Sequence, residues 1–252
     1  MRVDLNADVG ESFGVYVLGA DEALMTSITS ASVAAGFHAG DSTVLRRTIR
    51  LAKAQNVAVG AHPGLPDLAG FGRREIRVSP AQIEDLVLYQ VAAVAGVAAA
   101  EGVLLQHVKP HGALYNMAAR DASLASAVAR AVTAFDPRLV LFGPPGSMLL
   151  AAGRAAGLRV AAEGFADRAY EPDGRLADRH TPGAVISDVR VVVARALRMV
   201  TDRTVEALDG SVVPLEIDTI CIHGDTASAA VLATRLREGL EEAGITVRAV
   251  GR

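Results

Sequence analysis

Tryptophan is absent from this 252-residue chain, and aromatic residues make up only 4% of it. Platforms on which sugars or unpaired bases stack are therefore scarce, and a small polar ligand is the better expectation. Cysteine is nearly absent too: Cys221 stands alone, so neither a disulfide framework nor a Cys-based zinc site can be built. Neither sign of charge dominates. The 25 basic and 28 acidic residues are interspersed and leave a net charge of −3, which lacks the footprint of a nucleic-acid binder. Long apolar runs are missing as well: the longest, residues 91–100, is Ala-rich with a Gly inside it and falls short of the roughly 20 residues a bilayer demands. The expectation is a chain without a membrane span. Asp4, Asn6, Asp8 and Glu11 fall where a signal peptide needs its apolar core, which reads as a mature cytoplasmic protein. Hydrophobic residues make up 51% of the sequence and mean hydropathy is +0.31. Disorder is excluded, and the chain is long enough to bury a large core.

What is present is a regular alternation. Short β-branched or apolar runs occur at 2–6, 31–36, 57–61, 103–108, 139–142, 159–163 and 219–222. Between them, segments 21–30, 42–54, 80–100, 121–134, 147–156, 187–200 and 227–242 carry apolar residues at helical spacing. Ser79-Pro80-Ala81-Gln82 supplies an N-cap, a first-turn proline and a capping-box glutamine, while Gly102, Gly157 and Gly244 stand where left-handed C-caps belong. Repeated strand-helix units predict an α/β fold with parallel strands and right-handed crossovers, closed as a barrel or open as a doubly wound sheet. Segment 204–215 breaks the rhythm and reads as a hairpin turned at Asp209-Gly210, and 245–250 offers an eighth strand. With no linker, repeat or low-complexity tract, one domain spanning 1–252 is expected.

Polar residues decide between barrel and open sheet. Asn6, Asp8 and Glu11; His38 and Asp41; His62; His107, Lys109 and His111; Asp167 and Arg168; and His223 and Asp225 each follow a strand candidate. A barrel brings every strand end to one mouth, whereas an open sheet gathers ligands at a single switch point, so six decorated ends favour the barrel. Five of the six histidines lie at or just past such an end, and the sixth, His180, sits in a polar loop. Imidazole suits proton transfer near neutral pH or a divalent metal. Asp8, His38 and His62, from three successive ends, form a candidate metal triad that leaves a position for water. In the run from His107 to His111, strand alternation sends residues 107, 109 and 111 to one face, where mutual repulsion keeps an imidazole neutral beside a lysine that can hold an anion. Lys109, Arg168 and Arg179 are the expected anion holders. Asp41 also reads as the N-cap of the next helix, and Gly143-Pro144-Pro145-Gly146-Ser147 opens another. The chain has no phosphate-binding G-x-x-x-x-G-K-[ST] loop and no G-x-S-x-G elbow.

The blocks DLNADVGE (4–11), ASVAAGFHAGD (31–41), VAVGAHPG (57–64), HVKPHGALYN (107–116), FADRAY (165–170), RHTPGAVI (179–186) and CIHGD (221–225) resemble the LamB/YcsF family in order and over essentially the whole chain. The resemblance implies a single-domain, seven-stranded β/α barrel, a distorted relative of the eight-stranded kind, similar to glycoside hydrolase and deacetylase barrels. It implies an ATP-dependent cyclic amide hydrolase that opens the lactam of 5-oxo-L-proline to L-glutamate, with ATP as co-substrate alongside Mg and with 5-oxoprolinase subunits B and C as partners. A homo-oligomer is an open state. The expected catalytic residues are Asp8, His38, His62, His107, Lys109 and His111. Asn6, Glu11, Asp41, Tyr115, Arg168, Arg179, His223 and Asp225 are expected around the substrate, and Asp8, His38 and His62 around any divalent metal. Two other classes stay open: a stand-alone metal-dependent deacetylase or amidohydrolase, and a non-catalytic lactam-binding subunit.

Overall fold

The computed structural model describes residues 1–179, 181–222 and 229–251. Its strands are β1 Arg2–Val9, β2 Ser30–Ala34, β3 Ala58–His62, β4 Leu105–Val108, β5 Val140–Gly143, β6 Arg159–Phe165, β7 Thr204–Glu206, β8 Val212–Pro214, β9 Thr219–Ile222 and β10 Thr246–Val247. The helices are α1 Asp21–Leu24, α2 Ser42–Ala54, α3 Pro80–Ala100, α4 Gly112–Arg120, α5 Ala122–Phe135, α6 Met148–Ala155, α7 Val189–Thr201 and α8 Ala229–Glu242. Strands β1 to β6 pair in sequence order, all parallel, and β9 pairs with both β6 and β1. Seven parallel strands thereby close a barrel, as the spacing of the apolar runs predicts.

Alternation along β1 shows how the sequence divides inside from outside. Val3, Leu5, Ala7 and Val9 join the layer between strands and helices, while Asp4, Asn6 and Asp8 make their contacts across the barrel interior. Helices cover the outside: α2, for example, buries Val44, Leu45, Thr48, Ile49 and Ala52 along one face at helical spacing. The capping box at Ser79 and Gln82 forms, and Gly102, Gly157 and Gly244 take positive φ.

Four local expectations change. The hairpin at Asp209-Gly210 is present as antiparallel β7 and β8, but the tail strand β10 is two residues long and pairs with Arg2 and Val3 at the base of β1, outside the barrel closure. The helix at 21–30 stops at Leu24, because Thr29 and Ser30 are drawn alongside β1, where Ser30 opens β2: the Thr29 and Ser30 hydroxyls both donate to Asp4 Oδ1. An additional helix, α4, follows His111 directly and buries Ala113, Leu114, Tyr115 and Ala118. Finally, α3 has 21 residues and is long and apolar enough by length and composition to cross a membrane, which corrects the reading from apolar runs alone. Here it packs as a crossover helix, with Ile83, Val87, Val91, Val94 and Ala98 buried in the main core.

Candidate active site at the barrel mouth

A column of polar side chains runs up the barrel interior, built from alternate residues of the parallel strands. At its base Asp4 accepts from the Thr29, Ser30 and Thr219 hydroxyls at 2.6, 2.7 and 2.6 Å. Burial raises its carboxyl to about 6 against those three hydrogen bonds. Above it, Asn6 donates to Thr219 and to Glu163 Oε1. Glu163 also accepts from Lys109 Nζ at 2.9 Å and, through Oε2, from the Tyr115 hydroxyl at 2.7 Å. Lys109 Nζ further reaches Asn6 Oδ1 at 2.8 Å and Asp8 Oδ1 at 2.6 Å.

This geometry changes the role of Lys109. Its side chain is 2% exposed and three oxygen acceptors surround its three protons, so it is an internal cation rather than a free holder of substrate anions. Burial works to lower its pKa, but the carboxylates of Asp8 and Glu163 outweigh it and hold the ammonium charged. Cys221 Sγ, 3.2 Å from Nζ, is kept a thiol by burial.

The column ends at the mouth in Asp8, whose side chain is 12% exposed and lies 3.3 Å from His62 Nε2. Around this point Glu11, His38, His62 and His111 each turn one ligand atom inward, and the four atoms lie within 4.8 Å of one another. The expected triad is thus regrouped: His38 and His62 take Glu11 and His111 as companions, and Asp8 sits beside them bound to Lys109. His62 Nδ1 donates to the Lys109 carbonyl at 2.7 Å and His111 Nε2 donates to the Phe71 carbonyl at 2.8 Å. In neutral rings this leaves His62 Nε2 and His111 Nδ1, 2.9 Å apart, as two facing lone pairs. They are satisfied by one shared proton or by one cation. His38 stacks on His111 with ring centroids 3.8 Å apart. Among the described residues neither of its nitrogens has a hydrogen-bond partner, although the ring is buried and Nε2 lies 3.4 Å from Glu11. Burial is the first cause holding His38 well below the ordinary histidine range and His111 at about 3, with neighbouring imidazoles second.

The ladder of β4 continues past its end, Lys109 N donating to the Ala61 carbonyl and His111 N to that of Pro63. Residues 107, 109 and 111 do share the inward face, but at three depths. His107 lies lowest, against Ser32 and stacked on Phe142, and burial more than the Lys109 charge brings it to about 3. Asp41 caps α2 through the Thr43 and Val44 amides and pins Gly14. Arg168 is buried and donates to the carbonyls of Ala177 and Ala184, so its contacts tie down the excursion after β6. Arg179 lies beside it, half-buried, its charge bearing on the Arg168 guanidinium. His180, His223 and Asp225 lie outside the described residues. Glu163 escaped notice in the sequence. The signal for it was a carboxylate closing the apolar stretch 160–162 and followed by Gly164 and Phe165, inside a segment that otherwise reads as a buried strand.

The profile of the LamB/YcsF family matches residues 3–252. A protein of Tolumonas auensis, named as the A subunit of 5-oxoprolinase, is 55% identical over 249 residues, which cover 99% of each chain. The crystal structure of a lactam utilization protein from Thermus thermophilus matches with a TM-score of 0.94 at 51% identity, over 99% of this chain and 100% of that one. A family 4 carbohydrate esterase from Streptomyces lividans, at TM-score 0.50 and 10% identity over 99% and 93% of the two chains, shares the fold alone.

Proposed function

Since the chain belongs to the LamB/YcsF family, we propose that it is the ring-opening subunit of an ATP-dependent 5-oxoprolinase, converting 5-oxo-L-proline to L-glutamate together with subunits B and C. The observation that carries this reading is the end-to-end match, at 55% identity, to a protein named as the A subunit of 5-oxoprolinase.

The chemistry has two requirements. A five-membered lactam is a weak electrophile, so its carbonyl must be activated, and the ring nitrogen must gain a proton as the C–N bond breaks. Asp8 suits the second requirement. Its carboxylate reaches the mouth, is anchored by Lys109, and takes the proton of the attacking water before returning it to the leaving nitrogen. Activation by phosphorylation consumes ATP with Mg and releases ADP and phosphate. The chain has no Walker-type loop to cradle a triphosphate, so this step is assigned to the partner subunits. Glu11, His38, His62 and His111 are the residues that would hold a divalent cation. The bare nitrogens of His38 and the facing lone pairs of His62 and His111 fit one, and nitrogen and carboxylate donors suit zinc or manganese. When bound, such an ion supplies Lewis-acid polarisation of a carbonyl oxygen.

The test is glutamate and phosphate release from 5-oxo-L-proline and ATP by the chain alone, by subunits B and C alone, and by all three. Only the full set is expected to turn over. Brisk lactam-stimulated phosphate release by the chain alone overturns the division of labour, and a full set that makes no glutamate overturns the function. The Glu-His quartet favours a second reading, a stand-alone metal-dependent amidohydrolase, which predicts chelator-sensitive hydrolysis without ATP.

A further inference from the structure

Glu163 is sealed from solvent, its side chain 0% exposed, whereas Asp8 at the other side of Lys109 reaches the mouth. One ammonium therefore lies between two carboxylates that differ in access: one is open to a ligand and the other is closed to everything but Lys109, Asn6 and Tyr115. A buried ammonium with one counter-ion would follow that counter-ion wherever it moved, and a second, immobile carboxylate prevents this. Glu163 is itself fixed at both oxygens, Oε1 by Asn6 and Lys109 and Oε2 by the Tyr115 hydroxyl. Asn6 is fixed in turn by donating to Thr219, whose hydroxyl donates to Asp4.

We propose that Glu163 is a positioning residue: from the floor of the site it holds the Lys109 ammonium, and through it the Asp8 carboxylate, at the mouth. In so far as it concerns lactam opening, the proposal rests on the function set out above. Glu163 touches no substrate. Its effect on turnover passes through Asp8, as the outer partners of functional side chains act through the groups they orient.

The variant Glu163→Gln keeps the volume and an acceptor for Lys109 but removes the charge and the acceptor that Tyr115 uses. In the complex with subunits B and C, kcat is expected to fall about 10- to 100-fold, with KM for 5-oxo-L-proline within about twofold, the pattern of an interaction realised in the transition state. Tyr115→Phe, a milder change that leaves Glu163 charged, is expected to lower kcat in the same direction by less. Combining Glu163→Gln with Asp8→Asn is expected to cost no more than Asp8→Asn alone, because both remove one device. A crystal structure of Glu163→Gln is expected to show the Asp8 carboxylate drawn away from His62, since Lys109 is left with a single counter-ion. Wild-type kcat in a folded Glu163→Gln, a loss confined to KM, additive losses in the double variant, or an unmoved Asp8 each overturns the proposal. Absence of glutamate release by the wild-type complex instead sinks the functional reading, and the crystallographic comparison still judges the positioning.

Discussion

Gly64 is where one added carbon reaches the site. A Cβ there would stand 2.6 Å from His38 Nδ1, so His38 must move. Gly64→Ala is expected to destabilise the fold by about 1 to 3 kcal/mol, as overpacking does, and to abolish binding of a divalent ion, read by elemental analysis of the purified protein. The same measurement separates the quartet from the triad expected from sequence. Glu11→Gln and His111→Ala should lose the ion while Asp8→Asn keeps it, and the reverse pattern restores the triad. Lys109 behaves differently from the mouth residues. Asp8→Asn is expected to lower turnover about 10²- to 10⁴-fold, leaving a measurable residue, and His38→Ala to abolish it, both with a cooperative melt retained. Lys109→Met strands two carboxylates in the barrel and should cost about 3 to 5 kcal/mol of stability as well. A denaturant titration showing no loss for Lys109→Met would mean that the column is not paired as described.

Element boundaries are set by side chains that the local sequence already names, and their failure should stay local. Ser79→Ala removes the acceptor for the Gln82 amide at the start of α3. It is expected to cost about 1 kcal/mol, as the loss of an N-cap does, with turnover unchanged because α3 lies on the outer face of the barrel; a drop in kcat without a drop in melt would contradict that separation. Strand β1 works the other way. Its outward residues belong to the core and its inward residues to the site, so the same eight residues, Arg2–Val9, carry both stability and chemistry.

For the whole molecule, buried titratable groups set the response to acid. His107 and His111, brought to about 3, and His38, held well below the ordinary range, are neutral in the fold, while the unfolded chain protonates them near 6.5. Their contribution to stability is therefore present above 6.5 and is lost as pH falls toward about 3. Asp4 has the opposite sign: raised from 3.8 to about 6, it binds its proton more tightly in the fold, so its contribution declines as pH rises across that window. Each such proton changes stability by about 1.4 kcal/mol per pH unit. With three histidines against Asp4 and the Asp21 carboxyl, which burial also raises, stability of the metal-free chain is expected to fall from pH 6.5 to 4.5. Asp4→Asn should steepen that fall and His107→Gln should flatten it, both read from melts across the range; a flat profile for the parent chain would refute the assignment.

Periodicity and punctuation settled most of the architecture from the sequence alone. Seven short apolar runs alternating with amphipathic segments are a local signal, and so are a capping box at Ser79 and glycines after helices, because each depends on neighbours within a few residues. Polar residues past the strand ends marked the mouth for the same reason. Which side chains meet there was decided by the tertiary structure. Glu11 and His111 join His38 and His62, and Lys109 turns inward to Glu163, because barrel closure and the register between strands bring together residues up to 215 positions apart, as with Asp4 and Thr219. Local sequence carries no record of that distance. The fold also decided the charge states: burial keeps His38, His107 and His111 neutral, while the Asp8 and Glu163 carboxylates brought beside Lys109 keep it charged against that same burial.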